Sequence, residues 1–418
     1  MYKFSCPKKK FSILIGIIVL TVIGLLIQID TIRYPENNEN TKIIYNIQSD
    51  TVKQWRKLRE NLTNLSNLGR ILFLEEQEPV IKSTKKHQIL IWKYGHIIEK
   101  RLMMNFSNKW VDPFKKCPVK NCDITYKDTN IKTADIVLVH LHRTKNPKEL
   151  PPMRGKPDQI WAFLTEESPH HTFLRPDKNI SIASFNGIFN WSMSYRMDSD
   201  IPVPYGRTII KKHPEQVDFH LEKRRDVLVA ILGSNCGSKN HRWAYVKELK
   251  KYIDVDVYGA CGTLKCPGHF RKDCPDLEKY LFYLSFENSN CDEYITEKVW
   301  WNAFHKKNSI PIVMGANRAD YRRILPPNSY IDIDEFANPA SLAQYLLRLN
   351  RTDEFLKYYQ WKSHFEILNE HGYFQSQNFH YCRVCQALNY NEKKHKVYDN
   401  LEKQWDPQNV CYPAWNSK

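Results

Sequence analysis

Glycine-rich phosphate-binding loops are missing from this sequence. Only 14 of its 418 residues are glycine, and neither a Walker loop nor a Gly-x-Gly-x-x-Gly segment is present, which excludes the two usual phosphate cradles. Zinc-finger, RNA-recognition and helix-turn-helix signatures and internal repeats are absent as well. The formal net charge of +16 is spread along the chain. Nucleic acid is therefore a poor candidate partner, whereas an anionic membrane face or a polyanionic small substrate suits the charge.

Charged residues are also absent from the 19-residue segment Phe11–Ile29, which is long enough to cross a bilayer as a helix. Lysines at positions 3, 8, 9 and 10 precede it, and by the positive-inside rule they keep the N-terminus in the cytosol. No small-x-small cleavage site follows, which favours a signal anchor over a cleaved signal peptide. The sequence predicts a cytoplasmic tail (1–10), a transmembrane signal anchor (11–29) and a lumenal body, a single-pass type II arrangement.

Cysteines and N-glycosylation triplets agree with a lumenal body. Ten of the eleven cysteines follow the anchor, an even number in a compartment that permits disulfides. Six Asn-x-Ser/Thr triplets are candidate glycosylation sites; they begin at Asn61, Asn64, Asn105, Asn179, Asn190 and Asn350.

The rest of the chain divides into a polar stem and two patterned halves. Residues 30–85 are Asn-rich and predict a stem, with one amphipathic stretch at 61–74. In the first half, strand-length apolar runs recur at Gln88–Trp92, Ala134–Leu141, Gln159–Thr165 and Phe189–Tyr195.

In the second half, predicted strands and helices alternate, which favours parallel β-sheets with helices on both faces. The pattern predicts a two-lobed α/β enzyme with its site in the cleft. The predicted strands are Asp226–Leu232, Val255–Tyr258, Tyr280–Glu287, Ile310–Met314 and Tyr330–Ile333, and the predicted helices are His241–Tyr252, Glu297–His305, Arg318–Leu325, Ser341–Leu349 and Glu354–Phe365.

The segment from Tyr280 to Lys298 carries the clearest functional signal. A buried strand ends in Glu287-Asn288, and Thr296 is placed to cap a helix that starts with Glu297 and Lys298. Ligands of open α/β sheets bind beyond the strand ends, and helix N-termini attract phosphate. The pattern predicts a diphosphate clamp, although an ordinary capped helix with a surface Glu and Lys would also fit it.

This segment resembles the signature of the α1,3/4-fucosyltransferase family, Phe-Glu-Asn-Ser followed by Asp-x-Tyr-Ile-Thr-Glu-Lys. The matching residues are Phe286–Ser289 and Asp292–Lys298. The resemblance is closest to invertebrate glycoprotein α1,3-fucosyltransferases. It extends through Trp161–Pro169, Asn190–Arg196, Val203–Gly206, Pro311–Ala316, Pro326–Ile331 and Cys382–Cys385.

The resemblance implies a fold and an activity. The fold would be GT-B-type, two Rossmann-like lobes facing a cleft behind the anchor, with an acceptor lobe (86–217), a GDP-fucose lobe (218–375) and a C-terminal segment (376–418) that returns to the first lobe. The activity would be transfer of L-fucose from GDP-fucose to N-acetylglucosamine of glycoprotein glycans, with inversion, at the Golgi membrane. A core N-glycan acceptor is slightly favoured. A Lewis-type antennal enzyme and an inactive sugar-binding scaffold are the alternatives.

Site residues follow from the same resemblance. Glu167, of the Glu-Ser-Pro segment, resembles the general base that takes the proton from the attacking hydroxyl. Glu166 beside it is a neighbouring carboxylate that could substitute for it or raise its pKa. The donor-binding candidates are Ser234, Asn235, Arg242, Asn288, Tyr294, Glu297, Lys298 and Tyr195, with Arg196 on the same side of the cleft.

Fixed cations are expected in place of a metal. By resemblance, Arg242 and Lys298 stabilise the diphosphate leaving group, so no cofactor or divalent metal is required. A metal-dependent glycosyltransferase remains a competing interpretation because three Asp-x-Asp triplets occur. They are Asp198–Asp200, Asp254–Asp256 and Asp332–Asp334.

Cysteine spacing leaves two interpretations open. Cys117 and Cys122 near the start of the body and Cys382 and Cys385 near its end could hold zinc or form disulfides. The family resemblance implies disulfides that tie the C-terminal segment to the acceptor lobe. Three further bridges are possible, with a connectivity that spacing does not define, among Cys236, Cys261, Cys266, Cys274, Cys291 and Cys411.

Overall fold

The structure, a computed structural model, describes residues 50–416 apart from 82–84, 105, 107–108, 218–220, 269–270, 306–307, 353 and 393–395. The chain divides into residues 1–51 and a compact unit, Val52–Lys418, to which the following description refers. The predicted anchor at 11–29 lies outside the described residues, and within them no helix is both long and apolar enough to span a membrane.

Six parallel strands form the first sheet. The strand β3 (Ile136–His140) is buried along its whole length, as expected for a parallel strand covered on both faces. The sheet order is β2-β1-β3-β4-β5-β6. The strands are β1 (His87–Trp92), β2 (Cys122–Thr125), β3 (Ile136–His140), β4 (Ile160–Leu164), β5 (Trp191–Ser194) and β6 (Ile201–Pro202).

Five parallel strands form the second sheet, in the order β12-β11-β10-β8-β9. They are β8 (Val229–Leu232), β9 (Val255–Tyr258), β10 (Phe282–Phe286), β11 (Ile310–Met314) and β12 (Ile331–Asp332). The remaining two strands, β7 (Gly206–Ile210) and β13 (Phe365–Asn369), pair antiparallel as a separate ribbon. The predicted α/β class with parallel sheets is confirmed.

The helices of the described residues surround these sheets. The helix α7 (Pro339–Thr352) is amphipathic, because its Leu342, Leu346 and Leu349 pack into the hydrophobic core of the second sheet. The helices are α1 (50–60), α2 (Asn67–Phe73), α3 (Gly95–Leu102), α4 (Arg242–Leu249), α5 (Glu297–Val299), α6 (Arg318–Ile324), α7 (Pro339–Thr352), α8 (His380–Tyr390), α9 (Glu402–Trp405) and α10 (Pro407–Val410).

Two of the helices predicted in the second half are not regular α-helices in the structure. The predicted helix Glu297–His305 is α-helical only over α5 and continues as a π-helical turn, Trp300–Phe304. The predicted helix Glu354–Phe365 is a 3₁₀ segment that ends at Ser363, and Phe365 already belongs to β13. Tertiary packing overrides local propensity here, because Trp300, Phe304, Phe355 and Trp361 are buried in the hydrophobic core.

The part of the predicted stem that the structure describes packs into the body. Trp55 is only 2% exposed, its indole nitrogen donates to the Leu325 carbonyl at 2.9 Å, and its ring meets Phe365 edge-on. Leu68 and Leu72 belong to the core of the first sheet. The stem boundary at residue 85 was therefore wrong, since buried apolar side chains make residues 52–81 part of the compact unit.

Five disulfides link the ten cysteines that follow the predicted anchor. Cys117–Cys382 and Cys122–Cys385 join α8 to the segment before β2 and to β2 itself. These two bridges tie the C-terminal segment to the first sheet, and they use all four cysteines for which zinc was the alternative interpretation. The other pairs are Cys236–Cys261, Cys266–Cys274 and Cys291–Cys411.

Candidate active site

A cleft lies at the carboxyl ends of β8 and β10. β8 and β10 are neighbours in the sheet, with β9 on one side of the pair and β11 on the other. The strand order therefore reverses direction between β8 and β10, and open α/β sheets bind ligands in the crevice at such a point. The volume of the cleft is about 420 Å³. Its lining includes Glu167, Tyr205, Gly233, Ser234, Asn235, Arg242, Asn288, Tyr294, Glu297, Lys298 and Tyr373.

Glu167 presents its carboxylate to this cleft from the segment that follows β4. Its Oε2 accepts a hydrogen bond from the Tyr294 hydroxyl at 3.1 Å and a long one from the Asn288 amide at 3.4 Å. The segments that carry these residues also touch through Ser168 and Ser289, whose hydroxyl oxygens are 2.8 Å apart. A carboxylate held on one side and open to the cleft on the other is suited to accept a proton.

Glu166 points the other way, into a buried cluster. Its Oε1 contacts Arg101 Nη2, His371 Nε2 at 2.8 Å and His380 Nε2 at 2.7 Å. Burial alone would raise the pKa of Glu166, but Arg101 and the two histidines outweigh it and hold the pKa well below its usual value. Glu166 is therefore an ionised, fully engaged carboxylate, and the two adjacent glutamates have different environments.

Arg242 is a buried cation in the wall of the cleft. It lies at the start of α4 with 3% of its surface exposed. Its guanidinium donates to the backbone carbonyls of Phe286 and Asn235, each at 2.8 Å, and among the described residues it has no carboxylate within ion-pair distance. Burial lowers the pKa of Arg242, yet a guanidinium stays charged at neutral pH. These two backbone carbonyls hold the guanidinium in place without neutralising its charge.

Lys298 differs from Arg242 because two carboxylates balance its charge. Its Nζ lies 2.9 Å from Glu287 and 3.1 Å from Glu297. Burial lowers the pKa of Lys298, but the two glutamates outweigh it and raise the value above its ordinary level. Thr296, the predicted helix cap, donates its backbone N–H and hydroxyl to Glu287 instead of capping α5. Lys298 is thus the centre of an ionic network rather than a bare cation at a free helix end.

Tyr195 lies behind the cleft, not in it. It is 3% exposed, and its ring packs against Tyr294 at 5.0 Å and Trp405 at 5.6 Å. Arg196 is also engaged elsewhere, with Nη2 2.8 Å from Asp198. The prediction that Tyr195 and Arg196 lie on the cleft side was wrong. The described structure gathers the other predicted donor residues and Glu167 around one cavity.

Family models match most of the chain. Residues 84–206 match the model "Fucosyltransferase, N-terminal", and residues 222–405 match "Glycosyltransferase family 10 (fucosyltransferase) C-term". The bovine "3-galactosyl-N-acetylglucosaminide 4-alpha-L-fucosyltransferase FUT3" is 36% identical over 274 residues, covering 64% of this chain and 70% of the bovine one. The chain belongs to glycosyltransferase family 10, the fucosyltransferases.

Other relatives extend the comparison. Drosophila melanogaster "Glycoprotein 3-alpha-L-fucosyltransferase A" is 36% identical over 306 residues, which is 71% of this chain but only 56% of the fly protein. Caenorhabditis elegans "Alpha-(1,3)-fucosyltransferase fut-6" is 31% identical over 290 residues, 65% of this chain and 69% of its own. A crystal structure of an alpha1,3-fucosyltransferase with GDP-fucose aligns with a TM-score of 0.47 at 15% identity, over 80% of this chain and 98% of the other.

The three Asp-x-Asp triplets of this fucosyltransferase family member do not converge on the cleft. Asp200 accepts hydrogen bonds from Ser192 and Tyr398 and pairs with Lys396 at 2.9 Å. Asp256 contacts Arg224 at 3.1 Å, and none of the six triplet aspartates lines the described cleft. The triplet carboxylates therefore lie outside the described cleft.

Glycosylation candidates of this family member differ in their accessibility. Asn61, Asn64 and Asn179 are exposed, Asn350 is half-buried, and Asn105 lies outside the described residues. Asn190 is 7% exposed; its amide donates to the Lys396 carbonyl and accepts from the Trp161 backbone N–H. The folded structure contradicts the prediction of a glycan at Asn190, because its amide nitrogen is buried in a hydrogen bond.

Several residues near the cleft were missed by sequence reasoning. Tyr205, whose hydroxyl donates to the Glu166 carbonyl at 2.9 Å, and Tyr373 line the cleft from segments distant in sequence. Lys265 and Lys272 line it from the loop after β9. The only sequence signal for the loop was its cysteines, which indicated a constraint there without giving its partner.

Proposed function

We propose that this protein is an α1,3-fucosyltransferase that transfers L-fucose from GDP-fucose to N-acetylglucosamine of glycoprotein glycans, with inversion at the anomeric carbon. The observation that carries the proposal is the position of Glu167, which faces, within one cleft, the cations Arg242 and Lys298. A base and a cationic leaving-group site in one cavity are what single-displacement sugar transfer requires. In this proposal the lobes form a GT-B arrangement, with the donor on the second sheet and the acceptor on the first.

Glu167 acts in this reaction as the general base. It removes the proton from the acceptor hydroxyl as that oxygen attacks the anomeric carbon, and the C–O bond to the diphosphate breaks on the opposite face. Tyr294 and Asn288 orient the carboxylate through the hydrogen bonds described above. Glu166 stays with Arg101, His371 and His380 and takes no part in the proton transfer.

Arg242 and Lys298 stabilise the GDP leaving group in place of a metal. Arg242→Ala and Lys298→Ala are each expected to weaken GDP binding roughly tenfold or more, because a buried charge-assisted contact to phosphate contributes about 1.5–3 kcal/mol. Arg242 should show the larger loss, since among the described residues no carboxylate lies within ion-pair distance of it. Lys298→Arg should rescue poorly, because a planar fork does not replace a point ammonium between two glutamates. Calorimetric titration of GDP into each variant measures this.

Activity of the unmodified chain is expected to persist in excess EDTA. Loss of activity in EDTA that Mn²⁺ restores would contradict the metal-free mechanism. So would GDP affinity that is unchanged in both alanine variants. Lys247→Ala, an exposed position on α4 outside the cleft, is the matched control and should bind GDP like the unmodified chain.

The acceptor proposed is the innermost N-acetylglucosamine of an N-glycan, with antennal N-acetyllactosamine as the alternative. The fly relative is named a glycoprotein enzyme, whereas the bovine relative is named for a galactosyl-N-acetylglucosaminide. Mass spectrometry of products made on a paucimannose glycopeptide and on N-acetyllactosamine distinguishes them. Fucose on the glycopeptide core supports the proposal, fucose on N-acetyllactosamine alone favours the alternative, and transfer to neither contradicts both.

The proposed location is the Golgi membrane, with residues 11–29 as the signal anchor and the catalytic body in the lumen. Five disulfides in the described body support an oxidising compartment. Protease protection of the body in sealed Golgi vesicles, lost on adding detergent, tests this orientation.

A further inference from the structure

The loop that follows β9 forms one wall of the cleft and is held at its base. Gly259 has φ of 91°, and a Cβ atom at this position would lie 2.5 Å from the Gly233 carbonyl oxygen. Only glycine allows the loops after β8 and β9 to approach this closely. The Cys261 backbone N–H donates to the same Gly233 carbonyl at 3.1 Å, and the Gly259 N–H donates to Leu264 at 2.9 Å.

Two disulfides fix the same loop further along. Cys236–Cys261 joins it to the loop that carries Ser234 and Asn235, and Cys266–Cys274 closes its far part. Asp273 next to Cys274 accepts a hydrogen bond from the Trp301 indole at 2.9 Å. The disulfides and this hydrogen bond restrict the backbone of the loop, and they therefore also restrict the positions that its side chains can take at the cleft.

Of the cations on this loop, Lys265 and Lys272 line the cleft, whereas Arg271 does not. Both lysines are exposed. Both lie close to a disulfide, since Lys265 directly precedes Cys266 and Lys272 lies two residues before Cys274. In the part of the chain that the structure describes, neither side chain has an ion-pair partner or a hydrogen bond.

The other charges of the cleft do not suffice for a dianionic ligand. Lys298 is balanced by Glu287 and Glu297. Arg242 is therefore left as one buried cation for the ligand, and Glu167 adds a negative charge to the same cleft. Without the two lysines, the single unbalanced guanidinium of Arg242 would offset only part of the negative charge of a diphosphate. Lys265 and Lys272 make the local charge more positive, because neither has an ion-pair partner among the described residues.

We propose that Lys265 and Lys272, presented by the loop of Cys236–Cys261 and Cys266–Cys274, form a second cationic contact for the diphosphate of the nucleotide sugar. This inference rests on the proposed function and adds residues outside the family's signature segments to the donor site. The two lysines face the diphosphate from the β9 side, while Arg242 and Lys298 face it from the β8 and β10 side.

Calorimetric titration of the full chain with GDP and with guanosine tests this assignment. Lys265→Ala and Lys272→Ala are each expected to lower GDP affinity about two- to fivefold, and the double variant roughly tenfold, as for solvent-exposed charge contacts. Guanosine affinity should not change, because it lacks the diphosphate. The effect should shrink at high salt, which screens exposed charges. Lys247→Ala is the control for a lysine outside the cleft.

The outcomes separate this inference from the proposed function. An unmodified chain that binds GDP together with a double variant of equal affinity overturns the lysine contact and leaves the function standing. An equal loss for GDP and guanosine overturns the diphosphate assignment. An unmodified chain that binds neither GDP nor GDP-fucose contradicts the proposed function itself.

A variant that lacks one of the disulfides provides a second, independent test. Cys266→Ser with Cys274→Ser removes the far constraint while keeping both lysines. This variant is expected to lose part of the GDP affinity without a change in the guanosine affinity, because freed lysines lose order that binding must restore. Equal GDP affinity in a folded double-serine variant contradicts the role of the disulfide in placing the lysines.

Discussion

Glu167→Gln is expected to reduce fucose transfer by roughly two to four orders of magnitude while leaving GDP affinity within about twofold of the unmodified value. The amide keeps the shape of the side chain and can still bond to Tyr294 and Asn288, but it cannot accept the proton of the acceptor hydroxyl. Because the carboxylate acts on the acceptor, donor binding should be unaffected. Steady-state rates with GDP-fucose, together with calorimetric titration of GDP, measure both quantities.

Glu166→Gln is the matched control, since it makes the same change one residue away. Its expected effect is on stability, because the side chain is buried with Arg101 and two histidines and does not line the donor cleft. The folded fraction of this variant should retain most of its turnover per folded molecule. A folded Glu166→Gln protein without activity beside an active Glu167→Gln protein would contradict the assignment of the base.

Arg101→Met is expected to lower the free energy of unfolding at pH 7 by about 3–5 kcal/mol, because removing one partner leaves a buried charge uncompensated. Glu166 would then face only His371 and His380, both neutral at this pH since burial lowers their pKa values, that of His371 to about 4. Urea denaturation followed by intrinsic fluorescence measures the change. Lys100→Met, which replaces an exposed residue beside Arg101 on α3, is the control and should be near neutral.

The pH dependence of stability provides a second test of this cluster. In the unmodified chain, the folded pKa of His371 lies below its unfolded value of 6.5, so the unfolded state binds more protons and stability falls as the pH is lowered from about 6.5 towards 4. Glu166, whose folded pKa is also depressed, adds to this loss below its unfolded value. His140, buried nearby with a pKa lowered to about 3, acts in the same direction.

Arg101→Met should weaken this acid sensitivity. Without the guanidinium, a protonated His371 becomes the cation that pairs with Glu166, so its folded pKa rises towards the unfolded value. The stability difference between the variant and the unmodified chain is therefore expected to be smaller at pH 5 than at pH 7. A difference that is equal at both pH values would contradict an ionised Glu166 paired with Arg101.

The sequence predicted secondary structure most accurately where the local pattern leaves few alternatives. Val255–Tyr258 and Ile310–Met314 were predicted with the bounds of β9 and β11, because short apolar runs between polar loops leave few alternatives to buried strands. It worked poorly for β7 and β13, whose antiparallel pairing joins residues more than 150 apart in sequence. No local pattern encodes such a partner.

The candidate site likewise has features that the sequence predicts and features that only the structure shows. The sequence by itself determined the chemical inventory: a glutamate at 167, cations at 242 and 298, and cysteines in sufficient number for five bridges. Only the tertiary structure decided that Glu166 turns into a cluster with residues 101, 371 and 380, that Tyr195 packs behind Tyr294, and that Lys265 and Lys272 reach the cleft. The physical reason is that residue type fixes which protons and charges a side chain carries, whereas chain packing fixes the direction in which the side chain points and the charges that surround it.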